Sequence, residues 1–155
     1  MNKLLVALFA VFVIIQFIPA KLPLVVTENH DDLIATANIP ADIAQKLKTS
    51  CYDCHSNETN YPWYSYVAPV SFLVSYDTRE GRRKLNFSIW NNLSKVKKAK
   101  YLNNINDEIS EGEMPMEIYT YLHSDSKLSV KDREEIAAWA DNYAESLFEE
   151  EADKN

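Results

Sequence analysis

Glycine is almost missing from this chain, with two residues in 155, and proline contributes only six. So few turn formers argue against a turn-rich sandwich, and the long stretches of Lys, Glu, Ala, Leu and Asn point to helices. Basic residues are outnumbered, 16 against 23 acids, for a net charge of −7. That deficit excludes nucleic acid as the main partner, because phosphate binding needs a basic surface. Cysteine is equally scarce. Both residues lie between positions 51 and 54, so lipid attachment through a cysteine near the N-terminus is excluded. No repeat or low-complexity segment is present, and no set of residues suggests a substrate pocket with an acid, a base and a nucleophile, so the chain is not read as an enzyme.

What the chain does have is apolar and aromatic. Hydrophobic residues make up 46%, with nine Tyr, six Phe and three Trp, enough for the packed core of one domain. The charges are sorted along the sequence. Arg79, Arg82, Arg83, Lys84, Lys95, Lys97, Lys98 and Lys100 are half of the bases, while 15 of the 23 acids lie from Asp107 onward. The result is either a dipole that orients a charged partner or simply two solvated helix faces.

Met1-Asn2-Lys3 and the run Leu4 to Ile18, broken only by Gln16, have the basic start and apolar stretch of an export signal. Ile18-Pro19-Ala20 is a poor small-x-small cleavage site, so residues 1–20 are read as a signal peptide or uncleaved membrane anchor, although the run is shorter than the ~20 residues of a spanning helix. Residues 21–38 read as a stalk or extended lead-in, 39–148 as the folded domain and 149–155 as an acidic tail. Within the domain, Pro40 opens a helix over Ala41 to Ser50. Pro69 opens another, to about Arg83, whose end Gly81 would loosen. Ser94 caps a third over Lys95 to Ile109, ended by Gly112. A further turn or two follows Pro115. Ser129 and Asp132 cap the last helix, with Ile136, Ala140, Tyr143 and Leu147 as its stripe. Trp90 and Trp139 are read as core.

Cys51-Tyr52-Asp53-Cys54-His55 is a CxxCH sequence, the signature of covalent haem attachment. On one helical turn, residues i and i+3 share a face, so two thiols can bond two vinyl groups along one haem edge. The following His is then placed to ligate the iron. Three other readings compete. A thioredoxin-like pair needs a strand-to-helix setting that nothing before Cys51 provides; a zinc site lacks a fourth ligand beyond His30 or His123; a disulfide across three residues is strained. Met114, in the Gly/Pro-bounded segment Glu111 to Met116, is the first choice for the second axial ligand. Met116 is expected to pack in the core, and His123 is the third choice. Tyr61, Trp63, Tyr64 and Tyr66 are expected to cover one haem face, with Arg82 or Arg83 neutralising the propionates.

Ser50 to Thr59, Tyr61 to Ser71, Glu80-Gly81-Arg82, Leu85 to Trp90 and Gly112 to Pro115 together resemble the haem-binding domain family of small mono-haem cytochrome-c-like proteins of Bacteroidetes-type bacteria, over roughly residues 35–148. The resemblance implies one covalent haem c on Cys51, Cys54 and His55, in an all-α, cytochrome-c-like domain behind an N-terminal hydrophobic segment. The function expected is one-electron transfer in the periplasm or at the membrane, with an unidentified periplasmic or membrane redox protein as partner. A haem-based ligand sensor or small peroxidase-like protein is the alternative, and Met114 decides between them.

Overall fold

The structure is a computed structural model that describes residues 2–152, with side chains through residue 149. Among these residues there is no strand. The helices are α1 (Lys3–Ile15), α2 (Leu33–Thr36), α3 (Ala41–Ser50), α4 (Tyr52–His55), α5 (Val70–Lys84), α6 (Lys95–Glu111), α7 (Glu117–Leu122) and α8 (Val130–Ala152). Short 3-10 turns occupy Trp63–Tyr66, Phe87–Asn92 and Ser124–Ser126. The all-helical expectation therefore holds.

The most extensive helix contact is α6 with α8. Their buried faces, Leu102, Ile105 and Ile109 on one and Ile136, Ala140 and Ala144 on the other, join Ile43 and Leu47 of α3, Leu33 of α2, Phe87 and Trp90 in one apolar core. Trp90 is fully buried, and its indole N–H donates to the Tyr143 hydroxyl at 3.3 Å. The caps are where their sequences placed them. Ser94 Oγ accepts from Lys97 N–H at the start of α6, and Gly112 ends that helix at φ 80°, a left-handed position that costs glycine nothing. Ser129 and Asp132 exchange hydrogen bonds of 2.9 and 3.1 Å as a capping box.

Helix α1 carries no buried residue, and no helix among the described residues is long and apolar enough to cross a membrane. Beyond it, residues 21–38 run as a lead-in along the body. Ser75 Oγ donates to the Lys21 carbonyl at 2.8 Å, the Tyr61 hydroxyl to Pro23 at 3.0 Å, and Arg82 to Leu24 at 2.8 Å. Leu33 then enters the core at 0% exposure. Residues 149–152 continue α8; the rest of the acidic tail lies outside the described residues. Gly81 does not loosen α5, which continues to Lys84. Its missing side chain serves packing instead, because a Cβ there would stand 2.5 Å from the Cys54 carbonyl oxygen.

Candidate haem site

The chain turns out of α3 at Cys51 (φ −124°, ψ −36°) and at once winds the single turn α4. The Cys51 carbonyl accepts from Cys54 N–H at 3.2 Å and from His55 N–H at 2.9 Å, so both thiols and the imidazole are spaced by one helical turn. Contacts of Tyr52, Asp53 and Gly81 hold that turn in place. The Tyr52 hydroxyl donates to buried Asp32 at 2.8 Å, and its ring stacks on Phe87 at 5.1 Å. Asp53 accepts from Asn60 N–H at 2.9 Å and from the Tyr119 hydroxyl at 2.8 Å through its carboxylate, and from Thr59 Oγ1 at 2.7 Å through its carbonyl. Gly81 lets α5 close on Cys54. Of these, Tyr52, Asp53, Tyr119 and the role of Gly81 were missed in the sequence. Tyr52 and Asp53 carry a signal as the two residues between the cysteines, and Gly81 as part of Glu80-Gly81-Arg82; Tyr119 carries none.

His55 Nδ1 lies 3.1 Å from the Leu85 carbonyl. A carbonyl only accepts, so Nδ1 carries the proton and Nε2 keeps a lone pair, the arrangement of a metal-ligating imidazole. Burial lowers the His55 pKa, which favours the neutral ring that binds metals. Both cysteines are free, and burial pushes both thiols up to about 12. A redox-active dithiol needs the opposite shift, so this is a poor thioredoxin-like pair. Among the described residues no three His, Cys, Asp or Glu side chains gather as a metal site. Haem iron asks less of a protein, at most two axial side chains.

Two cavities are lined by His55. The larger, about 480 Å³, is lined by Cys51, His55 and Met114 with Leu47, Phe87, Ile105, Ile109 and Ile136, and by the cations Arg83, Lys84 and Lys100. A second, about 200 Å³, is lined by Cys51, Cys54, His55, Met114 and Met116. A third, about 210 Å³, touches Cys54, Tyr61, Tyr64, Met116 and His123 but neither Cys51 nor His55. Apolar walls, two thiols, one free imidazole nitrogen and a thioether are the donor set a covalently held haem uses, and the residues present fit that group.

The other expected site residues divide. Met114 lines both cavities beside His55 and packs against the apolar core; its carbonyl accepts from Arg133 at 3.0 Å and its N–H donates to Glu108 at 3.2 Å. Met116 was expected in the core, yet it lines the two smaller cavities and lies outside the core cluster. Met116 instead leads into α7, while buried Pro115 lines the large cavity with Ile109 and Ile136. His123 shares a 2.5 Å hydrogen bond with the Tyr64 hydroxyl and stacks on Tyr119 at 4.2 Å, away from His55. Tyr61 spends its hydroxyl on the lead-in segment, as above. Trp63 is 78% exposed and lines none of these cavities, so it does not cover a face there. Arg82 is engaged by Leu24 and by Thr59 at 2.8 Å; the cations on the large cavity are Arg83, Lys84 and Lys100.

No solved structure and no curated protein matches the chain. A family model does, the haem-binding domain, over residues 10–142. That span takes in the lead-in, the CxxCH turn, the Met114 segment and most of α8, and the chain belongs to the haem-binding domain family.

Proposed function

We propose that this protein is an exported, membrane-tethered c-type cytochrome that carries one electron at a time between redox partners in the periplasm or at the membrane. The observation that carries it is the convergence of Cys51, His55 and Met114 on the same two cavities, with Cys54 on one of them. Cys51 and Cys54 would hold a single haem c by thioethers. His55 Nε2 would be one axial ligand and the Met114 sulfur the other, with Met116 as the alternative thioether. Bound there, the group supplies a reversible Fe(III)/Fe(II) couple, and a methionine ligand biases it to higher potential. The protein contributes the rest: Leu85 orients the imidazole, Leu47, Phe87 and Ile105 exclude water, and Lys84 and Lys100 offer charge to carboxylates at the cavity wall. The cytochrome-c-like character rests on this ligand set. The location rests on the basic start and apolar run of residues 3–18.

Expression with a cytochrome c maturation system tests the reading. The mature chain should gain the mass of one haem, and replacing Cys51 and Cys54 by Ala should abolish the gain. Met114→Ala should keep the haem but lose the methionine-to-iron absorption band and bind carbon monoxide. If the unaltered reduced protein already binds carbon monoxide readily, the sixth position is open and the ligand-sensor or peroxidase class replaces electron transfer. A chain that weighs no more than its amino acids sinks both.

A further inference from the structure

Trp63 is the exposed one of three tryptophans. Trp90 and Trp139 are 0% and 9% exposed, whereas Trp63 is 78% exposed and Tyr66, on the same 3-10 turn, is 67% exposed. A large amphipathic ring left in water invites a partner, and its surroundings say which. The end of α1 is fastened to this turn by two reciprocal bonds: Gln16 Nε2 donates to the Ala68 carbonyl and Ala68 N–H donates to Gln16 Oε1, both at 3.0 Å. Phe17, directly after, is 82% exposed. Tyr66 of the turn lines a groove with Gln16, Ile18 and Ala20, and Ile18 is 55% exposed. Exposed apolar and aromatic side chains thus gather where the end of α1 meets the Trp63 turn.

We infer that this face rests on a lipid bilayer, with Trp63 and Tyr66 at the headgroup level; the inference rests on the membrane tether proposed above. Helix α1 has 13 residues, all of them free of the body's core, and at a rise of about 1.5 Å per residue it is about 20 Å long. The hydrocarbon core is about 30 Å thick. A helix that short does not cross the core; lodged in one leaflet or thinning the bilayer, it keeps Gln16 at the lipid boundary and the segment that follows on the surface. The Gln16–Ala68 pair then removes the hinge that would let the body turn, and the part brought down is the Trp63 turn. Tryptophan and tyrosine are the residues that favour this boundary, where the ring is apolar and the N–H or O–H stays wet. Exposed apolar side chains grouped in this way mark an interaction surface, and the covalent continuity with α1 selects lipid over a soluble protein.

Hydroxyl-radical footprinting of the full haem-loaded chain on phosphatidylcholine vesicles tests the posture, after flotation shows that the chain is bound. Labelling, corrected for intrinsic reactivity, should reverse the order set by exposure: Trp63 and Tyr66 should fall below Phe148 of α8, which is 45% exposed. If the chain floats with the vesicles while Trp63 and Tyr66 label at least as strongly as Phe148, the tether stands and the docking face is wrong. If the chain does not float, the tether itself is wrong and the inference falls with it.

Discussion

Helices α6 and α8 bury Leu102, Ile105, Ile109, Ile136 and Ala140 against each other, whereas the face that α5 buries is Ser71, Ser75, Thr78 and Gly81. Both faces keep helical spacing, and they do different jobs. The α6/α8 side is held by apolar area removed from water. The α5 side is held by nearness: small residues let main chain approach, so that Ser75 can donate to the Lys21 carbonyl and Gly81 can receive Cys54. One half of the molecule supplies stability and the other supplies position, and the CxxCH turn sits where the two meet, with Tyr52 stacked on core residue Phe87 and Cys54 pressed on α5.

Substitutions that reverse size on each side separate these roles. Leu102 is 0% exposed in the α6/α8 core, so Leu102→Ala should lower stability by about 2–5 kcal/mol, the transfer and cavity costs together. Chemical denaturation reads this directly, and the chain that does fold should still attach haem. Gly81→Ala changes size the other way. In an ordinary helix interior it would gain up to about 1 kcal/mol. Here the new Cβ would meet the Cys54 carbonyl oxygen at 2.5 Å, and a backbone atom cannot swing aside as a flexible side chain can. Overpacking, about 1–3 kcal/mol, should win, and because α4 must shift, haem attachment should fall as well. A more stable Gly81→Ala protein with full attachment would mean that α4 and α5 are not in close contact.

The same contrast explains what could be read from the sequence. The Ile136, Ala140, Tyr143 and Leu147 stripe, the Ser94 and Ser129 caps and the Gly112 stop were legible because apolar periodicity and capping chemistry are local. So was the CxxCH spacing. The buried face of α5 was not, since serines and a glycine at helical spacing look like a solvated surface until a partner main chain lies on them. The partners are residues 21–24 and the α4 turn, far apart along the chain and joined through carbonyl oxygens that every residue carries. Trp63 is read as a haem cover because it follows Cys54 closely in sequence, and Arg82 because a cation suits the propionates; neither reading takes account of partners distant along the chain. The 3-10 turn points Trp63 outward instead, and the lead-in claims Arg82.

The smallest effect lies on the surface between α3 and α8, where Lys46 pairs with Asp132 at 3.1 Å and with Glu135. Asp132 is held at about 2, below its ordinary 3.8, first by the Ser129 hydroxyl and N–H and then by Lys46. Lys46 likewise lowers Glu135. A depressed carboxylate stabilises the fold above its ordinary pKa, and that stabilisation is lost as the pH falls through the folded value. The Asp132 contribution is therefore present at neutral pH and fades between roughly pH 4 and pH 2. Lys46 is raised by the same partners, so its share persists below its ordinary pKa and disappears only in strong alkali. Both carboxylates are solvent-exposed, and salt screens them. Asp132→Asn should lower Tm slightly at neutral pH, and its curve should converge with that of the unaltered protein near pH 2. Parallel curves across the acid range would show that the ionisation of Asp132 adds nothing to stability. The haem spectrum should be indifferent to the substitution throughout, because this pair braces the stability half of the molecule and touches nothing that positions Cys51, Cys54 or His55.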